Sequence, residues 1–186
     1  MSRIYLARHG ATSWSESGQH TSFTDLDLTP AGEAAAKAMG ERLRGRRFGL
    51  VLVSPRLRAR RTAELAGVTD AVTDDELVEW DYGDYEGLTT DQIRETAPGW
   101  TVFSSPCPNG ETASQVGARA DRVLARVAAA AVEDALLIGH GHALRVLAAR
   151  WLRQPAAFGA HLELAVSTLS NLGWERETPT VETWNA

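Results

Sequence analysis

Three short runs of apolar residues, at positions 4–7, 50–53 and 135–138, stand out along the chain. Each run is continuous and does not alternate between apolar and polar residues. Continuous runs of this length are typical of strands that are buried on both faces, as in a parallel sheet. We therefore predict three central, parallel strands.

The segments between these runs have helical patterns. Thr29-Pro30 is a typical helix start, and apolar residues then recur every four positions at Ala35, Met39 and Leu43. Further helices are predicted at about 57–66, 112–132 and 143–152. Residues 161–185 contain short β-like runs, which we expect at an edge or end of the sheet.

Strands that alternate with helices predict an α/β fold, a three-layer α/β/α sandwich with a mostly parallel central sheet. The length of 186 residues fits a single domain over residues 1–186. Ligands bind at the carboxyl ends of the strands in such sheets. The three apolar runs lead into Arg8-His9, Ser54 with Arg58, and His140, so we expect these residues to meet at one rim.

Composition narrows the function classes. The net charge of -5 argues against general affinity for nucleic acids or acidic membranes. Cys107 is the single cysteine, so no intramolecular disulfide can form. No signal peptide or membrane span is predicted, which gives a cytoplasmic location as the default.

Arg8-His9-Gly10 is the first group of residues with candidate chemistry. A histidine after a strand could attack a phosphorus atom, while the arginine binds phosphoryl oxygens and the glycine lets the backbone approach the anion. Taken alone, the motif is weak, because a histidine at a strand end is more often structural.

The segment 54–63 is the second group. A helix that starts after a strand presents N–H groups and a positive dipole end to an anion, and Arg58 lies in its first turn. A basic helix face exposed to solvent is the better interpretation for Arg56, Arg60 and Arg61 than a role in anion binding.

Two further groups follow. Glu79 lies among aromatic residues, where desolvation favours a protonated carboxyl that can act as a general acid. Asp81 and Asp84 fit a surface loop. His140 and His142 could be metal ligands, but no acidic or cysteine cluster accompanies them, so hydrogen bonding from His140 to a phosphoryl group is the better interpretation.

The four groups together, in this order, resemble the histidine phosphatase superfamily, the phosphoglycerate-mutase-like group. The resemblance covers about residues 3–150 and is carried by Arg8-His9-Gly10, the stretch 54–63, Glu79 with Gly83 and Glu86-Gly87, and His140-Gly141. The stretches 14–21, 25–29, 107–112 and 140–145 look most like actinobacterial acid phosphatases and the sugar-bisphosphatase branch.

The resemblance implies roles for individual residues. His9 would be the phosphorylated nucleophile, Arg8, Arg58 and His140 would bind the phosphoryl group, and Glu79 would be the proton donor. The expected substrate is a small phosphorylated metabolite, with no cofactor or metal. Further substrate contacts are expected at Ser15, His20, Thr21, Gly141 and His142.

The chain departs from the family pattern at three places. Ser15 stands where mutases usually carry asparagine, and Ala11 stands where many members have glutamate. Ser22-Phe23 replaces the Gly-Arg or Gly-Leu of the sugar-bisphosphatase branch. These departures leave the contacts to the distal part of the substrate undefined.

Three functions are compatible with these residues. A phosphatase is favoured, because the resemblance implies a longer segment between the acid and the later Gly-Glu motif in mutases, whereas Glu79 and Glu111 are only 32 positions apart here. An open site favours hydrolysis. Phosphoglycerate mutase activity and a non-catalytic module that binds phospho-ligands are the alternatives. Phe23, Trp100 and Phe103 could line the rim of the site or belong to the core, and the apolar end at 161–172 could support a homodimer.

Overall fold

A mixed six-stranded sheet forms the centre of the protein, in a computed structural model that describes residues 2–186. The spatial order is β3-β2-β4-β1-β5-β6. The strands are β1 (Arg3–Arg8), β2 (Leu50–Val53), β3 (Val72–Thr73), β4 (Asp134–Gly139), β5 (Leu169–Glu175) and β6 (Thr178–Thr183). Strands β1 to β4 pair in parallel, while β5 and β6 are antiparallel to their neighbours. The predicted central strands and the predicted edge strands are both confirmed.

Helices cover both faces of the sheet. They are α1 (Ser13–Ser17), α2 (Pro30–Leu43), α3 (Leu57–Leu65), α4 (Thr90–Thr96), α5 (Ala113–Ala130) and α6 (Gly141–Trp151). Three 3-10 helices lie at Asp75–Leu77, Gly83–Tyr85 and Ala156–His161. The predicted helices correspond to α2, α3, α5 and α6, and α6 begins two residues earlier than expected. The Thr29 hydroxyl caps α2 by accepting a hydrogen bond from the Gly32 N–H at 3.1 Å.

Two hydrophobic clusters, one on each face of the sheet, form the core. On β4, Leu136 and Ile138 pack with α2 and α3, whereas Ala135 and Leu137 pack with α5 and α6. This strand therefore has no polar face, which explains its continuous apolar sequence. The three-layer α/β/α sandwich is confirmed.

The strand register places the reactive residues at one edge of the sheet. Arg8 lies opposite Gly139, and Val53 lies opposite Ile138. His9, Ser54 and His140 are each the first residue after their strand. The predicted meeting of these three chain positions is confirmed.

Within residues 2–186, none of the helices combines the length and the apolar character that crossing a membrane requires.

Candidate active site

His9 lies in a buried position directly after β1, where it is 5% exposed. Its Nδ1 atom lies 2.7 Å from the Gly10 carbonyl oxygen, which can only accept a hydrogen bond. Nδ1 therefore carries the proton, and Nε2 is left as the basic nitrogen. The Gly10 N–H donates to the Thr62 hydroxyl at 2.9 Å and fixes this turn.

The environment keeps the His9 imidazole neutral. Burial lowers the pKa of His9 well below 6.5, and the positive charges of Arg58 and Arg8 lower it further. Burial is the largest of these contributions to the pKa of His9. A neutral imidazole with a free Nε2 is the form that can act as a nucleophile.

Arg8 is held by the backbone. Its Nη1 atom donates to the Leu164 carbonyl oxygen, and its guanidinium group packs on the backbone of Gly141. A Cβ atom at position 141 would lie 3.1 Å from the Arg8 Cζ atom, so a glycine suits this position. The buried Arg8 Nε atom has no hydrogen-bond partner among residues 2–186.

Arg58 and His140 are both fully buried, at 0% exposure. The Arg58 guanidinium donates to the carbonyl oxygens of residues 21, 22 and 24, and the His140 Nε2 atom lies 2.7 Å from the Ser54 Oγ atom. The centroids of the His9 and His140 rings are 5.1 Å apart. In the part of the chain that the structure describes, neither Arg58 Nε nor His140 Nδ1 has a partner.

The pKa of His140 is also lowered well below 6.5, first by burial and then by the charge of Arg58. Arg58 and His140 are fully buried and are not among the residues that line the open cavity next to His9. The expected N-terminal anion site on α3 is partly occupied by the protein, because the Leu57 N–H donates to the Asp25 carboxylate at 2.7 Å.

A cavity of about 420 Å³ opens beside His9. Arg8, His9 and Glu79 lie on its wall, as do all the other predicted substrate contacts: Ser15, His20, Thr21, Gly141 and His142. The structure therefore brings these predicted residues to one cavity, while Arg58 and His140 are buried outside its lining, with the His140 ring centroid 5.1 Å from that of His9.

Glu79 is fixed at the start of α6. Its carboxylate accepts hydrogen bonds from the backbone N–H groups of Trp80 at 2.9 Å, Ala143 at 2.8 Å and His142 at 3.1 Å. The last two are N–H groups of the first helical turn, which have no partner inside a helix. Glu79 is 6% exposed and faces the same cavity as His9.

Several predicted substrate contacts already have protein partners. The Ser15 hydroxyl bonds to the Thr12 backbone as part of the cap of α1. The His20 Nδ1 atom donates to the Leu88 carbonyl oxygen at 2.8 Å, which leaves Nε2 free. The His142 Nδ1 atom lies 2.6 Å from the Tyr82 hydroxyl. The two imidazoles stack with their centroids 6.0 Å apart.

The sequence did not decide whether Phe23, Trp100 and Phe103 line the site or belong to the core, and the structure divides them into two groups. Trp100 and Phe103 are buried in the core, and they also line the cavity. Phe23 is 55% exposed and lies under the Arg56 guanidinium at 4.7 Å, away from the cavity lining.

Sequence reasoning did not predict cavity contacts for Trp14 and Arg94. The position of Arg145 soon after His142 in the sequence predicted it near the wall of the site, and there its guanidinium stacks on Phe103 at 4.6 Å. Trp14 and Arg94 belong to α1 and α4, short helices without a clear apolar pattern. Each is marked only by a capping threonine, Thr12 or Thr89.

For residues 2–186, no group of three or more His, Cys, Asp or Glu side chains forms an arrangement that could hold a metal ion.

Comparison with known proteins gives a family. Residues 4–186 match the model of the histidine phosphatase superfamily, branch 1. The chain belongs to the histidine phosphatase superfamily. An acid phosphatase of Mycobacterium tuberculosis is 40% identical over 176 residues, covering 93% of this chain and 87% of that protein.

Other relatives agree with this family. A sedoheptulose 1,7-bisphosphatase of Saccharomyces cerevisiae is 39% identical, covering 80% of this chain and 67% of that protein. A solved structure of an open reading frame from Mycobacterium tuberculosis has a TM-score of 0.94 and 38% identity, covering 99% of this chain and 97% of the other. A phosphoglycerate mutase of a Methylobacterium strain is 36% identical, with 77% of each chain covered.

These findings confirm the predicted family and the predicted phosphatase enzyme. They give less support to the mutase alternative, because the mutase is less similar than the two phosphatases.

Proposed function

We propose that this histidine phosphatase hydrolyses small phosphorylated metabolites through a phosphohistidine at His9. One observation carries the proposal: the buried donors Arg8 Nε and Arg58 Nε and the buried nitrogen His140 Nδ1 have no partner among residues 2–186 and belong to side chains around a neutral His9. Buried polar atoms without partners are costly. The oxygens of a phosphoryl group would satisfy both arginine donors, and His140 Nδ1 as well in the tautomer that carries its proton there.

The reaction then has two steps. His9 Nε2 forms a bond to phosphorus, the bond between phosphorus and the substrate oxygen breaks, and protonated Glu79 gives its proton to that oxygen. In the second step, Glu79 takes a proton from water while the water oxygen displaces His9 from phosphorus. Arg8, Arg58 and His140 stabilise the charge on the transferring group.

The cavity supports a sugar phosphate or a similar metabolite as substrate. Aromatic side chains are part of its lining and can pack against the apolar faces of a sugar ring, while Arg94 and Arg145 add positive charge to the cavity. The sugar-bisphosphatase relative is in line with this class of substrate.

Phosphate release from a panel of phosphorylated metabolites, measured with EDTA present, tests the proposal. We expect turnover that His9→Ala reduces by at least about a thousandfold, since the nucleophile is removed. His161→Ala is the matched control, because His161 is exposed and does not line the cavity. Turnover by His9→Ala at the wild-type rate would contradict the proposal, and phosphate binding without any turnover would favour the non-catalytic module.

The mutase alternative has a direct test. We expect phosphate release from 3-phosphoglycerate or a sugar phosphate to be much faster than isomerisation of 3-phosphoglycerate. Isomerisation without net release of phosphate would instead identify a mutase.

We also propose a cytoplasmic location, in line with the buried, unpaired Cys107. An acidic chain of net charge -5 is not expected to bind nucleic acids or acidic membranes. The homodimer remains a prediction, which light scattering during size-exclusion chromatography can test.

A further inference from the structure

The backbone of residues 21–24 lies between two buried or half-buried side chains of opposite charge. On one side, Arg58 donates to the carbonyl oxygens of Thr21 at 3.0 Å, Ser22 at 3.2 Å and Thr24 at 3.1 Å. On the other side, the Glu86 carboxylate accepts from the N–H groups of Ser22 at 2.8 and 2.9 Å and of Thr24 at 3.0 Å. The peptide groups of this segment thus connect a carboxylate to a guanidinium.

These bonds determine how Arg58 is oriented. A guanidinium has five N–H donors, and the backbone carbonyls engage both Nη atoms of Arg58. The buried Nε atom is left without a partner among the described residues. The orientation of the Arg58 donors toward the phosphoryl site therefore depends on where the three carbonyls lie.

Glu86 in turn fixes the three carbonyls. It forms no salt bridge with any of the described residues, so its charge is directed at the two backbone N–H groups. A carboxylate that accepts from backbone N–H groups forms stronger hydrogen bonds than a neutral acceptor. It also polarises the peptide group between Thr21 and Ser22, whose N–H, on Ser22, is bonded to Glu86 and whose carbonyl, on Thr21, is bonded to Arg58.

We propose that Glu86 is a positioning residue that holds Arg58, through the backbone of residues 21–24, in the orientation that binds the phosphoryl group. This inference rests on the proposed function, in which Arg58 binds that group. A purely structural role, in which Glu86 only shapes the turn before Gly87, is the competing explanation.

A double-mutant cycle between Glu86 and Arg58 separates the two explanations. We expect Glu86→Gln to lower kcat/KM for p-nitrophenyl phosphate about tenfold, which corresponds to about 1.4 kcal/mol of lost transition-state binding. It should weaken inhibition by inorganic phosphate to a similar degree. In an Arg58→Ala background, Glu86→Gln should cause no further loss, because the residue through which it acts is already absent.

Asp84→Asn is the matched control for charge. Asp84 lies two residues before Glu86, bonds to the Asn109 side chain at the surface, and should change kcat/KM by less than about twofold. Glu86→Asp is a milder second variant in case Glu86→Gln does not fold, and its smaller loss should also disappear in the Arg58→Ala background. Where a variant turns over too slowly to give kcat/KM, its dissociation constant for inorganic phosphate, measured by calorimetry, is compared instead.

The outcomes distinguish this inference from the function on which it rests. Equal losses in the two backgrounds, or a wild-type kcat/KM in both Glu86 variants, would overturn the role of Glu86 alone. A wild-type protein that does not release phosphate, or an Arg58→Ala variant with full activity, would overturn the proposed function of the site itself.

Discussion

His9 owes its chemical state to a few neighbouring groups. The Gly10 carbonyl holds the proton on Nδ1, while burial, Arg58 and Arg8 keep the ring neutral. The four groups of residues together, through their resemblance to the family, predict that His9 is the nucleophile, and this role remains a prediction. The sequence could not predict which nitrogen is free, because that depends on the direction of one backbone carbonyl in a turn.

Ser54 has a comparable effect on His140. Its hydroxyl lies 2.7 Å from His140 Nε2, and burial keeps the imidazole neutral, with a single proton. If the hydroxyl donates to Nε2, that proton is on Nδ1, where it can be donated to a phosphoryl oxygen. The Ser54 hydroxyl would then select the tautomer that the reaction needs.

We therefore expect Ser54→Ala to lower kcat about tenfold with a smaller change in KM, since the loss is greatest in the transition state. Steady-state kinetics on a sugar phosphate measures both constants. Ser104→Ala, at an exposed serine, is the control. An unchanged kcat in Ser54→Ala would show that the serine does not select the tautomer.

At the scale of elements, the strands carry the residues that sequence reasoning found most easily. Their continuous apolar runs predicted β1, β2 and β4, and the polar residues that follow them predicted the site. The short helices α1 and α4 were not predicted, and the sequence left open whether Trp100 and Phe103 line the site or belong to the core. These features depend on contacts between distant segments, which a local sequence pattern cannot show.

The segment that carries Glu79 is fixed by α5. Arg119 in this helix donates to the carbonyl oxygens of Glu76 at 2.7 Å and Val78 at 3.1 Å, and pairs with Glu111 at 2.7 Å. Glu111 also accepts from the Asp81 N–H at 3.0 Å. Arg119 and Glu111 thus hold the backbone on both sides of Glu79.

Arg119→Ala should lower the free energy of unfolding by about 3 kcal/mol, because it leaves a largely buried carboxylate and several carbonyls unpaired. Urea denaturation measures this loss. Arg122→Ala is the matched control on the same helix, since the Arg122–Glu76 pair is more exposed, and it should cost less than about 1 kcal/mol. Similar losses in the two variants would contradict the role assigned to Arg119.

At the scale of the whole molecule, an acidic protein of net charge -5 places three arginines, Arg8, Arg94 and Arg145, around one cavity. The same region buries His9, His140 and His142, whose pKa values are all well below 6.5, in each case chiefly through burial. The cavity therefore presents arginines that can bind an anion, and the three buried histidines stay neutral in the folded protein.

The lowered pKa values of these histidines make the free energy of unfolding depend on pH. The unfolded chain, with ordinary histidines, binds more protons than the folded protein between the folded-state pKa values and about 6.5. Stability should therefore fall as the pH drops below about 6.5, by up to about 1.4 kcal/mol per pH unit for each histidine. Urea denaturation at pH 7.5, 6.5 and 5.5 measures the free energy of unfolding, and His142→Gln should reduce its dependence on pH. A free energy of unfolding that stays constant or rises from pH 6.5 to 5.5 would contradict this prediction.

The central claim is that His9 carries the phosphoryl group during turnover. The most direct measurement is an alkaline quench of the enzyme during turnover of a labelled phosphate ester, followed by mass spectrometry of the intact protein. We predict one added phosphoryl group that is stable to base, labile to acid, located on His9 and absent from His9→Ala. A phosphoryl group that survives acid, or that persists in His9→Ala, would contradict the claim.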